Sequence, residues 1–174
     1  MPFVVRFILA FVVTLAIAIA VIWFVVPMFS KVKSPAIEKA AIMEIYKEQN
    51  EGAQNREASA AFTGVSTTCL FFDTTGGILP VPPMQQKLTS LYSGMRHVKA
   101  TTKLTTVNID SSSANITASV ISVNKVDWTT KSGEKMEVRT TTHDTWDKVV
   151  GKWNCVEVKM TATNNSRTGF VVPH

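Results

Sequence analysis

The chain has 174 residues, 45% of them apolar and 18% charged, an ordinary mix for one globular domain. Its formal charge of +5 is lopsided: apart from Arg6, Lys31 and Lys33, which flank an apolar N-terminal segment, 15 basic residues face 13 acidic ones. That near-balance argues against a nucleic-acid partner, since Lys87, Arg96, Lys99 and Lys103 have only Tyr92 among them as a stacking aromatic.

The first element is predicted to be a membrane anchor within residues 1–33. From Phe7 to Phe29 only Thr14 is polar, and those 23 residues would reach roughly 34 Å as a helix. The hydrocarbon core of a bilayer is about 30 Å thick. A cleaved signal peptide would have a shorter apolar run ending in a small-x-small site, whereas here the Ala16–Ala20 pattern lies mid-run. Trp23 and Phe24 suit an interfacial aromatic position. Orientation is divided. Lys31, Lys33, Lys39 and Lys47 would place the adjoining domain in the cytoplasm, while the short basic tail at Arg6 is that of a signal anchor that exports the domain C-terminal to it. The expectation is a single-pass cell-membrane protein with an extracytoplasmic domain at residues 34–163 and a flexible tail at 164–174.

Ser34 and Pro35 read as an N-cap and a first helical residue, with Glu38 in the first turn. Ile37, Ala41 and Ile45, with Ala40, Ile42 and Tyr46 beside them, form an apolar stripe at helical spacing. Glu44, Lys47, Glu48 and Glu51 fall on the solvated side. Gly52 and Asn55 end or bend this helix, and a short second one carries Ala58, Ala61, Phe62 and Val65 on one side. A brief strand at Cys69–Phe72 leads into Asp73-Thr74-Thr75-Gly76-Gly77, a turn in which an Asp side chain caps its own backbone. Pro80, Pro82 and Pro83 forbid regular structure before a third helix at about Met84–Met95.

The composition then changes to Thr, Val, Ile and Asn. Four strands are predicted, at about Val98–Asp110, Ala114–Thr130, Lys135–Lys148 and Lys152–Thr163. Their short connections, at Ser111–Ser113, Lys131–Gly133 and Val150–Gly151, favour an antiparallel meander. Helices first and sheet last is an α+β arrangement.

Side chains alternate across a sheet, so Met136, Val138, Thr140, Thr142, Asp144 and Trp146 share one face of the third strand. The strand before it repeats the pattern, with Ile116, Ala118 and Val120, then Ser122 and Asn124, then Val126 and Trp128. Polar groups midway along a core face either satisfy one another or line a cavity. Asp144 either bonds neighbouring groups structurally or, desolvated, serves as a hydrogen-bond donor or general acid. Asp73 divides between turn cap and general base, and Tyr46 reads as a core aromatic with its hydroxyl satisfied. Thr142, Trp146, Asn124 and Trp128 are the candidate ligand contacts. In the last strand Val156, Val158 and Met160 read as core, which places Trp153 and Cys155 on the opposite face.

Cys69 and Cys155 leave open one disulfide in an oxidising compartment or two core thiols. No C-x-x-C spacing exists, which argues against a zinc site or a redox dithiol, and His97, His143 and His174 do not pair with carboxylates at ligand spacing. Neither a metal nor a cofactor is expected.

Three segments in this order, "EIYKEQNEGAQNREASAAF", "TTCLFFDTTGG" and "THDTWDKVVGKWNCVEV", together resemble the nuclear transport factor 2-like superfamily in its SnoaL-like branch. The likeness covers about residues 36–163, and its most specific piece is the Asp-x-Trp, turn, Gly-x-Trp pattern of Asp144, Trp146, Gly151 and Trp153. It implies a curved antiparallel sheet wrapped around helices as a cone, a pocket at the open end, and often a homodimer packed sheet to sheet. It also implies one candidate chemistry, that of a ketosteroid isomerase with a Tyr and an Asp as oxyanion donors and another Asp as base. Carried over by motif, Asp144 would be the acid donor, Asp73 the base and Tyr46 the phenol. Membrane-tethered relatives include an assembly subunit of type IV secretion machines. The sequence therefore leaves three roles open: binding of a small apolar ligand or a protein partner, proton-transfer catalysis, and oligomerising scaffold.

Overall fold

The computed structural model describes residues 34–111 and 115–165. The anchor expected within residues 1–33, the turn at residues 112–114, and the tail beyond residue 165 lie outside the described residues. Among the described residues no helix is long and apolar enough to cross a membrane.

Helix α1 spans Pro35–Asn55 and starts where Ser34 and Pro35 predict. It does not break at Gly52. A Cβ there would meet the Ala60 backbone at 2.5 Å, so the missing side chain lets α2 (Ala58–Ala61) fold back against α1. Arg56, at φ 63, makes the reversal. Of the predicted stripe, Ile42 and Tyr46 are buried, in line with Glu38, whereas Ile37 is 52% exposed, a rotation of one position from the Ile37–Ala41–Ile45 line. The rotation follows from Glu38, which turns inward to meet Lys148 across the domain.

Strand β1 (Val65–Phe72) comes next, then the Asp73 turn, β2 (Ile78–Pro80) and α3 (Val81–Gly94). Regular structure persists through the prolines. Pro80 ends β2, and Pro82 and Pro83 occupy the first turn of α3, where backbone amides have no intrahelical acceptor to lose. Four long strands complete the chain: β3 (Met95–Asp110), β4 (Thr117–Thr130), β5 (Lys135–Val149) and β6 (Lys152–Asn165). The last reaches Asn165, so Asn164, expected in the tail, pairs with Arg139.

The curved sheet has six strands in the order β2-β1-β6-β5-β4-β3. The predicted meander is present as β3–β6, all antiparallel, and β1 extends it by pairing parallel to β6. The class is α+β with a mixed sheet, not a four-stranded meander. The β5–β6 hairpin turns on Val150 at φ 49 and Gly151 at φ 78, the primed geometry that a right-handed twist favours.

Alternation along β4 and β5 holds as predicted: Ala118, Val120, Ser122, Trp128, Thr142, Asp144 and Trp146 are all buried. In β6 it does not. Trp146 pairs with Cys155 and Thr145 with Glu157, leaving Val156 as an extra residue. This bulge turns Trp153, Cys155 and Val158 to the same buried side, so Trp153 and Cys155 are core residues and not outer ones. Two apolar clusters fill the interior. One centres on Ile42, Tyr46, Val120, Trp146 and Trp153, the other on Ala53, Tyr92, Met95 and Trp128.

Candidate functional site

Between the two clusters the inward residues are polar. Thr102 Oγ1 lies 2.8 Å from Asn124 Oδ1 and 3.1 Å from Asn50 Oδ1, its one proton shared between them. Asn124 Nδ2 donates to Ser122 Oγ at 3.0 Å and reaches Thr142 Oγ1 at 3.4 Å, while the Ser122 and Thr142 hydroxyls are 2.9 Å apart. Ser122 and Thr142 are buried, and this mutual bonding is what lets them stay so.

The seam ends beside Asp144. Tyr46, one turn beyond Ile42 on α1, donates its phenolic proton to Asp144 Oδ2. Trp146 packs edge-on to the Tyr46 ring at 5.6 Å. Two polar atoms here have no hydrogen-bond partner among the described residues: Asp144 Oδ1 and Trp146 Nε1, on side chains only 4% and 1% exposed. Burial pushes the Asp144 carboxyl above the usual carboxylate range, and the neighbouring Tyr46 and Thr142 hydroxyls offset this only in part. Burial, and then the neighbouring Asp144 charge, lifts the Tyr46 phenol well above its ordinary value. The pair therefore keeps its protons to higher pH than either group would in water.

These groups face a cavity of about 180 Å3. Phe62, Phe71 and Val158 give it apolar walls, and Gln49, Asn124 and Thr142 are its polar lining besides Asp144. Its size is near that of cavities that hold a single benzene ring, and well under the usual volume for drug-sized ligands. Tyr46 also lines a larger groove of about 500 Å3 between α1 and β3, bordered by Lys39, Met43, Asn50 and Thr102, so this one side chain stands between groove and cavity.

The structure thus brings together Tyr46, Asp144, Thr142, Trp146 and Asn124. It does not bring in Asp73 or Trp128. Asp73 Oδ1 accepts from the backbone N–H groups of Thr75 and Gly77 and from the Thr75 hydroxyl, and the residue does not line the cavity. The turn reading describes that geometry. Trp128 shares the inward face but lies eight residues further along from Val120, the partner of Asp144, pairs with Met136, and borders a separate hollow with His97 and Asp127. Strand rise puts it about 26 Å away, which a face assignment alone does not reveal.

The sequence reading missed a second buried carboxylate. Glu38 is 1% exposed, its Oε1 is 2.5 Å from Lys148 Nζ, and its Oε2 accepts from Trp153 Nε1 at 3.0 Å. The signal was available. Lys148 continues the even-numbered inward face of β5, and a cation in that register calls for a buried acid. Among the described residues no group of His, Cys, Asp and Glu could hold a metal ion.

With this geometry in view, comparison with solved structures gives one consistent result. A putative scytalone dehydratase from Novosphingobium aromaticivorans superposes with a TM-score of 0.62 at 15% identity, covering 77% of this chain and 91% of that one. An NTF2-like protein of unknown function from Shewanella baltica gives 0.55 at 18% identity, over 79% and 100%. The fold is NTF2-like. The association domain of C. elegans CaMKII matches this NTF2-like chain too, with a TM-score of 0.55 at 17% identity over 74% and 98%. Neither a protein-family model nor a curated protein matches the sequence.

Proposed function

We propose that this NTF2-like domain binds a small, largely apolar molecule, about one ring in size and bearing one hydrogen-bonding oxygen, in the Tyr46–Asp144–Trp146 cavity. The observation that carries this is the pair of orphaned polar atoms at a cavity with apolar walls of Phe62, Phe71 and Val158. A buried polar group without a partner costs about 1–3 kcal/mol and is uncommon in native structures. A ligand oxygen that accepts from the Trp146 indole N–H and from a protonated Asp144 carboxyl would satisfy both. The domain, on this reading, belongs to the SnoaL-like branch and is held at the membrane by the apolar run at residues 7–29, facing the extracytoplasmic side. The support for the tether is the length of that run alone.

Binding is favoured over isomerase-type catalysis by the lining itself. Among the described residues that line the cavity, Asp144 is the one carboxylate, so an acid is in place without a second carboxylate as base. A scaffold role has less support than the sequence suggested, because Trp153 is buried. Self-association as a homodimer through the outer sheet face keeps exposed Ile121 and the match to an association domain in its favour.

The test is titration of the protein with cyclohexanone and methylcyclohexane, followed by calorimetry or amide chemical shifts. The ketone should bind at least tenfold tighter, with shifts at Thr142, Asp144 and Trp146, and Asp144→Ala should erase that preference. Equal binding of both probes, or of neither, overturns the reading.

A further inference from the structure

Beside the cavity lies a second pair of chemically active groups that ligand binding does not use, one of them, Cys155, in its lining. Cys69 on β1 and Cys155 on β6 are 3% and 2% exposed, belong to the same core cluster, and are both free thiols. Eighty-six positions apart in sequence, they meet through two coincident irregularities. On β1, Val65 aligns with Cys155 and Leu70 with Glu157, so three more residues lie between these pairs on β1 than on β6. On β6, Val156 is the extra residue of the bulge. Regular alternation along β6 would have turned Cys155 away from Val158, and hence away from the interior. Instead both thiols face the same core cluster from neighbouring strands, and the Cys155 thiol donates to the Glu157 carbonyl at 3.5 Å.

We propose that Cys69 and Cys155 form a redox-active dithiol that closes into a disulfide, fastening β1 to β6 at the cavity wall. The reaction is exchange with a disulfide oxidant such as oxidised glutathione. The Cys69 thiolate attacks one sulfur of the oxidant and releases its other half as a thiol. Cys155 then loses its proton and attacks the mixed disulfide, forming the Cys69–Cys155 bond and releasing the second thiol. Two electrons and two protons pass from the protein to the oxidant.

The order of attack follows from the environment. The neighbouring Cys155 thiol lowers the Cys69 pKa, whereas Cys155 is pushed up by Cys69 and then by burial. Access follows from topology, because β1 is separated from open solvent on one side only by β2, which is three residues long. In an oxidising compartment the bond would be the resting state, and in a reducing one the pair of thiols. Cys155 lines the cavity, so closure stiffens a wall of the proposed binding site. The proposal stands whether or not that cavity takes a ligand.

The experiment uses the full chain in mild detergent, unfolded in urea with reductant and refolded in a glutathione buffer, so that burial does not limit access. Alkylation after a second unfolding, with peptide mass spectrometry, should show Cys69 joined to Cys155 and neither alkylated. Oxidised protein should melt on the order of 10 °C above reduced protein, because the bond closes a long loop in the unfolded chain. A Cys69→Ser/Cys155→Ser double variant should show no such response. Two alkylated cysteines, a stable glutathione adduct on either one, bonds between chains, or an equal response from the double variant would each overturn the proposal.

Discussion

Among the described residues two carboxylates are buried, each beside an indole, and they are built in opposite ways. Glu38 at the start of α1 uses both oxygens, one against the Lys148 ammonium and one on the Trp153 N–H. Lys148 also lies over the Trp153 ring at 5.7 Å, so acid, cation and indole close on one another. Asp144, two residues before Trp146 on the same face, has a phenol on one oxygen and no hydrogen bond on the other. Among the described residues the charge that favours its ionised form is that of His143, a lesser influence than burial and on the opposite face of the strand. Completed polar contacts beside packed core mark a structural joint. Incomplete ones beside a cavity are what the proposed ligand would complete.

The sharpest way to break this contrast is to remove the cation. Lys148→Met leaves Glu38 buried without its countercharge and should cost about 3–5 kcal/mol in chemical denaturation. A loss under about 1 kcal/mol would mean that the joint does not hold the helix to the hairpin. Next are the two indoles. Both Trp→Phe changes lose similar volume, but Trp153→Phe strands a Glu38 oxygen whereas Trp146→Phe strands no acceptor. The first should be worse by about 1–3 kcal/mol. Equal losses would erase the distinction between satisfied and orphaned groups.

A pH series addresses Asp144 itself. Burial raises its folded-state pKa above the ordinary value, so the folded protein holds this proton more tightly than the unfolded chain. Its contribution is full below about pH 4 and is lost as pH rises through the folded pKa. Measured against Asp144→Asn, wild-type stability should fall across that window with a slope approaching about 1.4 kcal/mol per pH unit. A difference that is flat with pH would show Asp144 to be an ordinary solvated acid. The smallest effect is at the turn that carries the joint. Val150, 96% exposed, sits at φ 49, where a β-branched residue is strained. Val150→Asn should stabilise the protein by about 1 kcal/mol in the same denaturation assay.

The legibility of each feature in the sequence depends on how local its signal is. The start of α1 was legible because Ser34 and Pro35 carry cap chemistry themselves. The inward faces of β4 and β5 were legible because their two-residue period is unbroken around Ser122, Asn124, Thr142 and Asp144. In β6 the same reasoning placed Trp153 and Cys155 wrongly, since one unpaired residue resets the period and leaves no mark in composition. The pairing of β1 with β6 was hidden for another reason: parallel neighbours share no turn that could announce them. Of the candidate site, Tyr46, Asp144, Thr142, Trp146 and Asn124 meet at one cavity. Alternation gave the face of Trp128 but not its depth along the strand, and Asp73 is engaged by its own turn.

The residue at Val156 has a consequence for how this stretch can change over generations. Substitution there is cheap, because the position is only partly covered and makes no pair across the hairpin. Deletion is another matter: it would flip the segment from Lys152 to Cys155 relative to the rest of the strand, swinging an indole and a thiol into water and drawing Asn154 inside. Length, more than chemical identity, is what inheritance must preserve between Gly151 and Val158.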